Sequence, residues 1–182
     1  MPRLPAITSK ADVPTEHHGV VDAVIKVFGT VRGPFSMFLH SPRLAEKLLP
    51  LVTFFRDDSR VDAKLRLIAI LTAVRERDAA YPWAAQVNQA RRNGLREEVI
   101  DLIRSKGDPR TLPDDERDIV EYVRQLMRTN HPDTKAFEAL KARHSPEWMV
   151  EITTAAHYFA MIGGIANAFD LAPPAEGDKL PA

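Results

Sequence analysis

Apolar residues in this chain recur at three- and four-residue spacing, in blocks separated by prolines, glycines and capping residues. No block shows the period-two alternation of a half-buried strand, so the pattern predicts an all-α protein. After an arm carrying Pro2, Pro5 and Pro14, the run TEHHGVVDAVIKVFG places Thr15 as a helix cap and Val20, Val21, Val24 and Val27 at helical spacing. Gly29 and the pair Gly33-Pro34 then break it. In HSPRLAEKLLPLVTFF, Ser41 is the expected cap and Pro42 the first helical residue, where a missing amide hydrogen costs little. Leu44, Leu48 and Leu51 form the apolar stripe, and Pro50 should bend or shorten the helix. RVDAKLRLIAILTAVRER sets Leu65, Ile68, Leu71 and Thr72 on one side, and Leu67, Ile70 and Val74 widen the apolar surface enough to predict burial.

The stretch RERDAAYPWAAQVNQARRNGL starts a further helix that Asn93-Gly94 should terminate, and REEVIDLIRSKG reads as a short one. LPDDERDIVEYVRQLMRTN carries acids in its first turn and Arg128 in its last, which suits the helix dipole. The final segment, opened by Ser145-Pro146-Glu147, is apolar or small on every face from Trp148 to Phe169, so it has to be covered on all sides by the core or by another subunit. A homo-oligomer is therefore expected. Gly163-Gly164 would let a neighbouring backbone approach, at roughly 1 kcal/mol per glycine in helix propensity. The organisation expected is an extended arm over residues 1–14, one helical domain over 15–171 and a flexible tail over 172–182.

Composition narrows the function. With 182 residues, 45% of them hydrophobic, the chain suits one domain with a substantial core. Lys and Arg total 25 and Asp and Glu total 25, so no net positive field favours nucleic acid or an anionic membrane surface. The absence of cysteine removes disulfides, thiolate metal sites and thiol nucleophiles together. No signal-like apolar run opens the chain and none approaches membrane-spanning length, so a cytoplasmic protein is expected.

Taken in order, GPFSMFLHSPRLAEKLLPL, RVDAKLRLIAILTAVRERDAAYPWAAQVNQARRNGL and PEWMVEITTAAHYFAMIGGIANAF resemble the carboxymuconolactone decarboxylase family, related to the alkylhydroperoxidase D-like proteins. The resemblance covers roughly residues 33 to 170. It implies an all-helical fold assembled as a dimer, trimer or hexamer, with a site at the central helix pair. In peroxidase members it implies a CxxC pair falling on Ala79 and Pro82, a histidine falling on Gln86 and a glutamate falling on Leu67. Each of these groups is replaced here. The Tyr-x-Trp common among decarboxylase-like members persists as Tyr81 and Trp83. A helix N-terminus would activate a thiol, but Ala79 and Pro82 offer no nucleophile, and the Gln86 amide does not titrate near neutral pH. Peroxide reduction is therefore disfavoured.

Five residues remain as candidates. Gln86, one turn from Trp83, could orient a carbonyl or carboxylate, or be a half-exposed polar residue. Tyr81 and Trp83 could stack on a ligand, although aromatic residues in such helices are more often core or interface anchors. Glu76 would serve as a base if turned inward, and is a solvated charge if not. His157, in the apolar last helix, could replace the lost relay histidine or be a hydrogen-bonded structural residue. No histidine has carboxylate partners at ligand spacing, so neither a metal nor a cofactor is expected. The sequence thus predicts a protein that binds a small organic acid, lactone or carbonyl compound near Tyr81, Trp83 and Gln86. Any catalysis would be proton transfer by Glu76 or His157. The alternative is a non-catalytic oligomeric binding protein on the same scaffold.

Overall fold

The computed structural model describes residues 2–181, and every regular element among them is helical. The chain forms two compact units. Residues up to Ser59 together with Ile165–Ala172 make the first, and Arg60–Gly164 with the segment from Pro173 make the second.

In the first unit, α1 (His18–Phe28) follows a single 3-10 turn over Thr15–His17. Thr15 therefore lies inside that turn instead of capping the helix, and no side chain caps α1. Gly29 ends it in the left-handed region at φ 78°, its amide donating to the Ile25 carbonyl at 2.7 Å. Gly33-Pro34, expected only to break structure, also starts it. Proline at the first helical position opens a short helix α2 (Pro34–Phe38), every residue of which is buried. α3 (Pro42–Thr53) begins where Ser41 and Pro42 predict, though the Ser41 side chain makes no capping bond. Pro50 is held within α3, and the backbone widens directly afterwards into a π turn over Phe54–Asp58. The arm is tied down along its length. The Ile7 amide donates to Ser36 O at 3.2 Å, the His40 ring nitrogen Nε2 donates to Pro5 O at 2.8 Å, and Arg3 Nε meets Asp170 Oδ2 at 2.7 Å.

The second unit is built around α4 (Ala63–Glu76), in which every residue from Arg66 to Arg75 is buried. Asp62 caps it by accepting the Lys64 and Leu65 amides at 2.9 and 3.3 Å. α5 (Ala80–Arg92), α6 (Glu97–Arg104) and α7 (Asp114–Thr129) pack against it, which is why an amphipathic stripe is absent from α4. Its polar side chains are satisfied locally. Thr72 donates to the Ile68 carbonyl at 2.8 Å and Arg66 to the Val61 carbonyl at 2.5 Å. Asn93 and Gly94 end α5 as expected, with Gly94 at φ 73°. Like α2, α8 (Thr134–Lys141) has no counterpart in the predicted elements. Two turns long, it buries just Ala136 and Leu140, too few positions to establish a period, and its signal is the Asp133 cap on the Ala136 amide at 2.7 Å.

α9 (Pro146–Ala168) buries Trp148, Ile152, Ala155, Ala156 and Ile162. It is not covered all round, because Val150, Thr154, His157, Met161 and Gly164 form an exposed stripe at alternating four- and three-residue spacing. The two adjacent glycines have different surroundings. A methyl group at position 163 would lie 2.6 Å from the Ala79 Cβ, whereas one at 164 meets nothing within 4 Å. Gly163→Ala is therefore expected to destabilise the protein by about 1–3 kcal/mol through overpacking. Gly164→Ala should stabilise it by roughly 0.5–1 kcal/mol through helix propensity. Chemical denaturation of the two variants beside the parent measures both.

Candidate functional site

The turn between α4 and α5 is fixed from beneath. Arg75, buried at the end of α4, donates Nε to the Arg104 carbonyl at 2.6 Å and hydrogen-bonds Asp78, which sits in the left-handed region at φ 46°. The chain then enters α5 through Ala79 at the cap position, with Pro82 in the first turn, where no intrahelical acceptor is lost. Ala79, Pro82 and Leu67 are all buried. Gly163 approaches both of the first two, since its added methyl would lie 2.6 Å from Ala79 and 3.6 Å from Pro82. The two places that the resemblance assigns to a thiol pair are thus sealed beneath α9.

Trp83 is fully buried, and its indole N–H donates to Asp178 Oδ1 at 3.3 Å. The same carboxylate receives Arg104 Nη2 at 2.8 Å on Oδ1 and Arg91 Nη2 at 2.8 Å on Oδ2. The Arg104 guanidinium also stands 5.8 Å from the Trp83 ring centre, within cation–π range. Only 13% of the Asp178 side chain is exposed. Burial pushes its carboxyl up, but the hydrogen bonds from Arg91, Trp83 and Arg104 outweigh it and hold the group below the usual carboxylate range. Tyr81 and Gln86, on the neighbouring turns of α5, are half-buried.

Glu76 turns inward, its side chain 5% exposed. Arg128 grips both of its oxygens, Nε at 2.7 Å and Nη2 at 2.9 Å, while Arg124 Nε stands 3.6 Å away. Arg124 donates Nη1 to the Gly107 carbonyl at 2.7 Å, but its buried Nε and Nη2 make no hydrogen bond, and burial pushes its guanidinium down. His157 is exposed, with Nδ1 at 3.1 Å from the Thr153 carbonyl and Nε2 at 3.3 Å from Asn130 Oδ1. Glu76 and His157 are therefore both tied to the C-terminal end of α7, through Arg128 and Asn130, whereas Trp83 belongs to a cluster with α6 and the tail.

Sequence reasoning did not find Arg91, Arg104, Asp178, Arg124 or Arg128 as partners. Arg91 stands two turns after Trp83, a spacing that signals proximity, but its surroundings in ARRNGLREE read as solvated surface. Asp178 stands in a proline-flanked segment without periodicity, where nothing local indicates a contact. A second polar region, a cleft of about 430 Å³ lined by Arg110, Arg117, Asp118, Glu121, Lys135 and Arg143, contains none of the predicted site residues.

No protein-family model and no curated protein matches this sequence. Solved structures do match it. An alkylhydroperoxidase AhpD core structure, an uncharacterized peroxidase-related protein from Ralstonia eutropha JMP134, superimposes with a TM-score of 0.76 at 18% identity, over 96% of this chain and 93% of that one. A protein of unknown function from Agrobacterium tumefaciens gives 0.68 at 22% identity, over 80% of this chain and all of that one. The debrominase Bmp8 gives 0.73 at 15% identity, over 93% and 92%. A Cys-to-Ala variant of Bmp8 in complex with 2,3,4-tribromopyrrole gives 0.70 at 17% identity, over 96% and 95%. The chain thus has the alkylhydroperoxidase D-like helical fold, the all-α architecture that its motifs led us to expect. Among the described residues, no helix is long and apolar enough to cross a membrane.

Glu76→Gln would remove the ion-pair partner 3.6 Å from the buried Arg124 and weaken the grip of Arg128. Since Arg128 is half exposed, the expected loss is about 1–3 kcal/mol, below that of a wholly buried pair. Urea denaturation checks it.

Proposed function

We propose that this is a carboxymuconolactone decarboxylase-like protein that binds a small organic acid, lactone or carbonyl compound beside Tyr81, Trp83 and Gln86, without thiol chemistry. The observation that carries the reading is the start of α5. There a buried indole directs its only polar atom at a carboxylate, while Ala79 and Pro82 supply neither nucleophile nor transferable proton. The complex of a Bmp8 variant with 2,3,4-tribromopyrrole adds that a protein of this fold accommodates a small planar organic molecule.

Any proton transfer would fall to Glu76 or His157. Glu76 has both oxygens engaged by Arg128 and could accept a proton only after that half-exposed side chain moves aside. His157 can place its proton on Nδ1, toward the Thr153 carbonyl, which leaves Nε2 as an acceptor once Asn130 presents its amide nitrogen. The engagement of Glu76 favours, as a second reading, a binding protein without turnover. In either reading the protein is a cytoplasmic homo-oligomer. The exposed stripe of α9, with Val150 66% and Met161 40% exposed, is the apolar surface that a second copy would cover, and His157 lies on it.

Thermal denaturation in the presence of small carboxylic acids and lactones, with chromatography of the mixtures, tests the proposal. Saturable stabilisation is expected. Product formation that disappears in both Glu76→Gln and His157→Gln assigns the proton transfer, and stabilisation without product selects the binding protein. No stabilisation by any acid, lactone or carbonyl compound would refute the proposal.

A further inference from the structure

Asp178 occupies its position in an unusual way for a surface aspartate. Three donors from two helices, Trp83 Nε1 and Arg91 Nη2 on α5 and Arg104 Nη2 on α6, converge on a single carboxylate. The two arginines are held by contacts that do not involve the tail, and Trp83 is fully buried with the tail in place. Arg91 is fixed by Glu97, which receives Nε at 2.6 Å and shares Nη2 at 3.0 Å. Arg104 hydrogen-bonds Asp101 through Nη1, and its carbonyl is anchored by the buried Arg75. Cationic donors ordered independently of their occupant are preorganised for that group, and replacing the carboxylate by a side chain that cannot accept would strand the Trp83 N–H.

The occupant is weakly attached by comparison. The segment from Pro173 has no helix. It makes one turn, closed by the Gly177 amide on the Pro174 carbonyl at 2.9 Å, and lies so close to α5 that a methyl on Gly177 would be 2.8 Å from the Ala84 Cβ. A terminal segment without regular structure is among the least protected parts of a fold, so the place of this one depends mainly on Asp178 itself.

We propose that Trp83, Arg91 and Arg104 form a binding site for a small-molecule carboxylate, and that Asp178 of the chain's own tail fills this site in the resting protein. The inference rests on the reading of α5 as the ligand-binding helix and names the anchor for the acid group. The two arginines and the indole N–H bind one carboxylate, the arginines through charge-assisted hydrogen bonds. An aromatic or unsaturated acid would also meet the Trp83 and Arg104 pair. The tail competes as an intramolecular ligand at an effective concentration on the order of millimolar, so external acids bind the intact protein less tightly than the cradle allows.

Calorimetric titration of the full-length chain with benzoate, and with benzamide as the neutral isostere, tests this. Asp178→Ala is expected to bind benzoate at least about tenfold more tightly than the parent, as release from an intramolecular competitor requires. It should gain nothing for benzamide. Titration should also move the Trp83 indole N–H resonance, assigned by comparison with Trp148→Phe. Gly177→Ala, which crowds the tail away from Ala84 while keeping the acid, should tighten benzoate binding in the same direction and serves if Asp178→Ala folds poorly. Adding Arg104→Ala to either variant should abolish the gain. Benzoate binding that is equal in parent, Asp178→Ala and Gly177→Ala, or that survives Arg104→Ala, overturns the inference. If such binding still depends on Gln86 or Tyr81, the broader reading stands without it. If no variant binds any acid, the inference falls, and if no lactone or carbonyl compound binds either, the broader reading falls with it.

Discussion

The approach of α9 to the start of α5 is the constraint on which the site depends. Gly163 can rest against Ala79 only because one residue has no side chain and the other has just a methyl, and Pro82 lies 3.6 Å from the methyl that alanine would place at 163. This contact closes the positions where the fold resemblance would put sulfur, and it sets α5 at the depth that encloses Trp83. The positive end of the helix dipole survives at this point, but no group remains there for it to activate. Whatever the site does must therefore run through groups further along α5 and on its neighbours.

Those groups are organised as two arginine-held carboxylates. Glu76 is secured by Arg128 with Arg124 alongside, and Asp178 by Arg91 and Arg104 with the indole of Trp83. The arrangements differ in what holds the acid. Glu76 belongs to the buried helix α4 and cannot leave without disturbing the core, so its pairing is structural in the resting protein. Asp178 sits on a segment with one turn and few contacts, so its place can be taken by another carboxylate. That difference in tethering, with similar local chemistry, separates a structural ion pair from a candidate ligand site.

The helices were legible in the sequence because their periods are long enough to read. The all-round burial of α4 and the Asn93-Gly94 stop of α5 followed directly from the residues. α8 was hidden by its two-turn length, and α2 by a Gly33-Pro34 pair that reads as a break but begins an element. Thr15 and Ser41 illustrate another limit. Their identity marks a helix start, but whether the side chain bonds an amide depends on backbone angles that identity does not determine. At the site, residues within one helical segment could be identified as candidates, whereas their partners could not. Asp178 is separated from Trp83 by 95 positions and Arg128 from Glu76 by 52, distances over which local patterning carries no information.

A scaffold with this fold and no sulfur in its site should not reduce peroxides. Consumption of an organic hydroperoxide by the purified protein, with a dithiol as reductant, is the most direct measurement of that claim. The account predicts a rate equal to that of the dithiol alone. Robust, protein-dependent turnover would contradict it, since this chain has no cysteine to supply the thiol that such turnover would use.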